Sequence, residues 1–222
     1  MPQVTEPTDA LFTSGVLARV VDLAAFARNP GADPLEDELQ RFARLTQDSH
    51  ALAWVMPLDA VAALLEGLAE EYGTETFAGR PAVFRTRLAR AAGDEPVPGF
   101  LRSLASLIRA PWFGAAPGLD ELPLSQWEAL ARFDLVNGFA AQLPTGEYDR
   151  DPRAEARELV RMDHPDCQGR IAALAGELQR VLYMFRTPEA LDAAFAPVMP
   201  SVTHERLSLL LDAVHTHFAQ EH

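Results

Sequence analysis

Apolar residues recur at every third or fourth position along nearly the whole chain, and nowhere do they alternate long enough to make a strand. Val61, Leu64, Leu65, Leu68 and Tyr72 keep this period. So do Phe100, Leu101, Leu104, Leu107 and Ile108; Ile171, Leu174, Ala175, Leu178, Leu182 and Phe185; and Leu207, Leu210, Leu211, Val214 and Phe218. A stripe of that period is buried most readily against another helix, so the expected fold class is all-α.

Proline and cap signals cut the pattern into pieces. Asp33-Pro34-Leu35-Glu36 and Ser125-Gln126-Trp127-Glu128 have the form of capping boxes. Asp151-Pro152 and Thr187-Pro188 place a side-chain acceptor just before a helix-starting proline. Gly73 and Gly93 follow helical runs, where a left-handed residue ends a helix. The resulting helices are 14–28, 34–46, 58–72, 81–92, 98–109, 125–143, 152–162, 165–186, 188–196 and 203–220, with a short one allowed within 48–56. Most connections are short, so sequential helices are expected to be antiparallel neighbours. The expected architecture is a single-domain bundle of nine or ten helices over 13–222, preceded by a flexible segment 1–12. The exception among the connections is the segment 110–123, with three prolines and two glycines.

Composition narrows the functional classes. With 48% apolar residues the chain is not a disordered one, and no run approaches the roughly 18 uninterrupted apolar residues of a membrane span, because Asp, Glu or Arg recurs every few positions. The start, MPQVTEPTDA, lacks the basic and apolar regions of a secretory signal. Cys167 is the only cysteine, which excludes an intramolecular disulfide and any multi-cysteine metal site. Together these features point to a reducing, cytoplasmic setting. The formal charge is −13, and every basic residue is arginine. Such acidity disfavours nucleic-acid binding, because it repels phosphate backbones. The stretch from Thr76 to Gly118 runs the other way, with Arg80, Arg85, Arg87, Arg90, Arg102 and Arg109 against Asp94 and Glu95.

Four sets of residues are candidates for function. Helix 125–143 is apolar nearly all round, so Asp134 and Asn137 are expected to be buried there, with Trp127 walling a ligand pocket. The competing reading is an internally satisfied polar pair. Trp112 and Phe113 in the proline-rich segment could anchor a protein partner, or plug a gap between helices. Arg80, Arg87 and Arg90 could receive an acidic partner or a phosphate, or neutralise the chain's own acids. Asp163-His164-Pro165-Asp166-Cys167 would put a cysteine in the first turn of a helix beside a histidine, the setting of an activated thiol, although two neighbouring acids oppose thiolate formation.

Histidine spacing offers no chelating set. His204 and His215 are about 16 Å apart along one helix, His215 and His217 diverge by about 200°, and His50 and His222 stand alone. No metal or other cofactor is therefore expected. No G-x-S-x-G, Walker loop or G-x-G-x-x-G is present, so no catalytic residue can be named. The expectation from the residues is a non-catalytic interaction or regulatory protein that binds another protein through its surface. The alternatives are a ligand-binding protein or enzyme around Trp127, Asp134 and Asn137, and nucleic-acid contact through the arginines of 80–109. The oligomeric state is left open.

Overall fold

The structure, a computed structural model, describes residues 7–48, 57–110, 117–143, 151–165 and 167–222. Every regular element among them is a helix. The chain divides into two compact units, Met1–Leu122 and Pro123–His222. Their boundary falls in the proline-rich segment that stood out in the sequence. The first unit contains α1 (Pro7–Thr13), α2 (Val16–Ala27), α3 (Leu35–Asp48), α4 (Leu58–Glu71), α5 (Glu75–Ala78), α6 (Ala82–Ala92) and α7 (Val97–Ile108). The second contains α8 (Gln126–Arg132), α9 (Asp134–Gln142), α10 (Pro152–Arg161), α11 (Cys167–Met184), α12 (Pro188–Phe195) and α13 (His204–Glu221).

In the first unit α4 packs on α7, and α2 packs on α6 and α3. The expected stripes supply the core: Val61, Leu65 and Leu68 from α4, and Leu101, Leu104 and Ile108 from α7. The window Ala10–Ala27 reaches a mean hydropathy of 1.6 over 18 residues, long and apolar enough by composition to cross a membrane, although Arg19 and Asp22 interrupt the apolar run as expected. It covers two helices, with Gly15 between them, and Leu17, Val20, Val21 and Ala24 of α2 are buried in the unit.

Arginines close this unit in two ways. Some donate to main-chain carbonyls. Arg28 bonds the carbonyls of Ala91 and Ala92 at the end of α6. Arg44, buried on α3, donates to Pro117, Gly118 and Leu122. Gly93 ends α6 at φ +61°, so the turn favours glycine, and a Cβ there would lie 2.8 Å from the Arg28 guanidinium and displace it. Other arginines pair with carboxylates, and these bear on function below.

In the second unit α13 packs on α10 and α11, and α9 packs on α11. The expected caps form: Ser125 accepts from Glu128 N, Asp151 from Arg153 N and Thr187 from Ala190 N. Two expectations need correction. The helix 125–143 is interrupted at Phe133 (φ −136°, ψ 43°). The buried Phe133 ring packs edge-on against Phe195, and the second half restarts at Asp134. Asp134 is accordingly exposed at a helix start, and Asn137 is half-buried. The second correction is that α11 begins at Cys167, so Pro165 lies in the turn before it.

Candidate metal centre

The buried face of α13 carries Leu207, Leu210, Ala213, Val214 and His217. Its spacing differs slightly from the expected stripe, which ran on to Phe218. Phe218 is half-buried, and the residue carried inward is His217, 5% exposed. α13 also packs on α10 and α11. The turn between those two helices supplies His164, and the first residue of α11 is Cys167. His222 follows the end of α13.

These contacts collect four side chains. The candidate donor atoms of His164, Cys167, His217 and His222 all lie within 4.8 Å of one another. Cys167 Sγ is 2.9 Å from His222 Nε2 and 3.7 Å from His164 Nδ1. The imidazole rings are stacked edge to face or tilted, with centroids 5.7 Å (His164–His217), 5.5 Å (His164–His222) and 5.3 Å (His217–His222) apart. Cys167 is fully buried, whereas His164 and His222 are exposed, so the cluster opens to solvent on one side. His217 Nε2 is buried and has no hydrogen-bond partner among the described residues. A buried imidazole nitrogen without a partner is costly unless something fills the position.

The donor chemistry is specific. One thiolate and three neutral imidazoles form a nitrogen–sulfur set that suits zinc, copper or nickel; magnesium and calcium require oxygen. With Zn–S of about 2.3 Å and Zn–N of about 2.0–2.1 Å, tetrahedral donors stand about 3.3–3.6 Å apart. The separations in the cluster straddle that range, so shifts on the order of an ångström would close the shell. Asp163, one of the two acids expected to oppose ionisation, is engaged by Arg170 at 3.1 Å.

This grouping was not expected from the histidine spacing. Within one helix the histidines cannot chelate, and His204 and His215 take no part in the cluster. The set is assembled from the α10–α11 turn, the start of α11 and the end of α13. The available signal was local: His164 and Cys167 stand three apart, and His217 and His222 five apart.

The other candidates are dispersed. Trp127 is half-buried on α8, and Asp134 and Asn137 lie on α9. Neither the cleft lined by Asp151, Arg153, Glu205, Ser208 and Asp212 nor the one beside Arg28, Phe100 and Leu104 includes any of the three. Glu177 instead reaches from α11 to the start of α9 and accepts from Val136 N at 3.0 Å. Its partial burial raises the carboxyl above the usual range, against the opposing effect of that hydrogen bond.

Arg80 forks onto Glu71 at 2.8 and 3.0 Å and lies over the Phe12 ring. Arg87 pairs with Asp22 at 3.2 Å, and Arg109 with Glu66. Arg90 and Arg102 are exposed. A shared anion site would need these groups on one open face, and three of the five are already held by acids of their own unit. Trp112 and Phe113 lie outside the described residues, as do His50 and Asp166.

A feature the residues did not announce is the buried pair of α8, Glu128 with Arg132 Nε at 3.1 Å. No protein-family model, no curated protein and no solved structure matches this chain.

Proposed function

We propose that this protein works by binding rather than by catalysis, and that its second unit takes up one soft divalent transition-metal ion, with zinc the best fit to the donors. The observation that carries this reading is the His164, Cys167, His217 and His222 cluster, whose donor atoms lie within 4.8 Å of one another and in which His217 Nε2 is buried without a partner. Four protein donors fill a tetrahedral shell. Structural zinc sites are closed in this way, whereas catalytic ones keep a position for water or substrate. The site needs Cys167 reduced, in keeping with the reducing, cytoplasmic setting proposed from the lone cysteine.

Cobalt(II) tests the proposal directly. The reduced protein, stripped with a chelator, is titrated with Co(II) and followed by absorbance. The expected result is one ion per chain, sulfur-to-cobalt charge transfer in the near ultraviolet, intense visible bands of a tetrahedral centre, and displacement by zinc. Cys167→Ser should remove the charge-transfer band, and His217→Ala should weaken uptake at least 100-fold. Weak octahedral absorbance only, or a spectrum untouched by Cys167→Ser, would contradict the proposal.

A protein partner bound through the surface is the second reading. It is favoured by Tyr183, 73% exposed at the end of α11 with the Arg186 guanidinium 5.4 Å from its ring centroid. Tyrosine and arginine are enriched among residues that dominate binding energy. Tyr183→Ala should weaken partner capture and leave metal uptake unchanged; unaltered capture would remove this anchor.

A further inference from the structure

An imidazole binds a metal through one nitrogen, and the partner of the other nitrogen decides which. His217 has a carboxylate in position to become such a partner, just beyond hydrogen-bond distance. Glu221 lies one turn further along α13, and its Oε2 is 3.6 Å from His217 Nδ1. The same oxygen is 3.8 Å from His164 Nδ1, so one carboxylate faces two of the four donor residues. With Nδ1 of His217 turned to Glu221, Nε2 is the nitrogen left for an ion, and it is the atom that is buried without a partner.

The position of Glu221 is itself informative. It is the last residue of α13, where exposed carbonyls make the helix end negative and a cation would be favoured. A carboxylate there is locally unfavourable unless positive charge sits beside it. Arg161 is near enough to interact with Glu221, but its guanidinium is already forked onto Glu158 at 2.8 and 2.9 Å. A divalent ion held by one thiolate has one positive charge in excess, and the Glu221 carboxylate offsets it.

We infer that Glu221 is the positioning residue of the metal site. It accepts the Nδ1 proton of His217, holds that ring with Nε2 toward the ion, and supplies the second negative charge. It acts through His217 and is not a ligand. The inference rests on the metal reading above.

A role of this kind has opposite consequences in the metal-free and metal-loaded protein, which a purely structural residue would not show. Glu221→Gln removes a negative charge from a helix C-terminus, so the metal-free variant should melt at the same temperature as the wild type or higher. Its zinc dissociation constant, measured by competition with a chelator, should rise about 10–100-fold, as is typical when the partner of a ligating histidine is lost. The cobalt spectrum should keep both its charge-transfer and tetrahedral bands. Glu221→Asp keeps the charge on a shorter arm and should recover part of the affinity. Equal zinc affinity in the wild type and Glu221→Gln would overturn the inference, and so would a changed cobalt coordination spectrum, which would make Glu221 a ligand. Failure of the wild type to bind cobalt or zinc sinks the site itself, so the two failures are distinguishable.

Discussion

The arginines of Met1–Leu122 and the histidines of Pro123–His222 show two ways of placing polar side chains in a helical protein. In the first unit Arg28 and Arg44 bond helix-end and loop carbonyls, while Arg80, Arg87 and Arg109 meet acids. Each of these cations has a partner supplied by the chain. In the second unit, His217 is buried beside a thiol and two further imidazoles, none of which is an anion while the thiol keeps its proton. Self-completed polar groups hold a fold together. A convergent set of nitrogen and sulfur donors is chemistry suited to a ligand, which is the reading proposed above.

The largest expected effect tests the completed side of this comparison. Arg44→Met strips one buried donor group from three carbonyls and should cost about 3 kcal/mol, since charge-assisted hydrogen bonds are worth about 1.5–3 kcal/mol each and are not additive. Urea unfolding measures this, and zinc uptake should be unaltered. A cost near zero would mean that the carbonyls find water as readily as they find Arg44.

Next is the open side. Zinc at 100 times its dissociation constant should stabilise the second unit by about 2.7 kcal/mol. Hydrogen exchange resolved along the chain should show the added protection in α10, α11 and α13, and His217→Ala should abolish it. Equal protection throughout Met1–Leu122 would erase the contrast between the two units. Smaller still is Ser125→Ala, which removes the cap of α8 and should cost about 1 kcal/mol with or without zinc.

The smallest effect concerns Glu177, a carboxylate between the two extremes, bonded to Val136 N yet half-buried. Burial raises its folded-state pKa above the unfolded value. Its contribution is therefore fully present below the ordinary carboxylate range and is lost as pH rises through the folded value. Glu177→Gln keeps an acceptor for Val136 N without the charge. The variant's stability relative to wild type should therefore increase with pH across that window, by less than about 1 kcal/mol given the exposure of the group. Parallel pH profiles would show that the carboxyl is not perturbed.

Much of the fold was legible in the sequence because helix starts are local events. Ser125, Asp151 and Thr187 each cap the helix that their spacing announced. The interruption at Phe133 was not legible, since apolar residues continue across it and only packing of its ring against Phe195 reveals the break. With the break went the expected burial of Asp134. The site was half legible. Cys167 and His164 stood out together but were weighed only as an activated thiol opposed by two acids, because nothing local shows that α13 delivers His217 and His222 some fifty residues later. Ligand spacing on one helix tests chelation by that helix alone.

X-ray absorption at the zinc edge of the loaded, reduced protein tests the central claim most directly. The cluster predicts one sulfur at about 2.3 Å and three nitrogens at about 2.0–2.1 Å around a single ion. A shell of oxygen and nitrogen without sulfur, or no zinc retained after desalting, would contradict it.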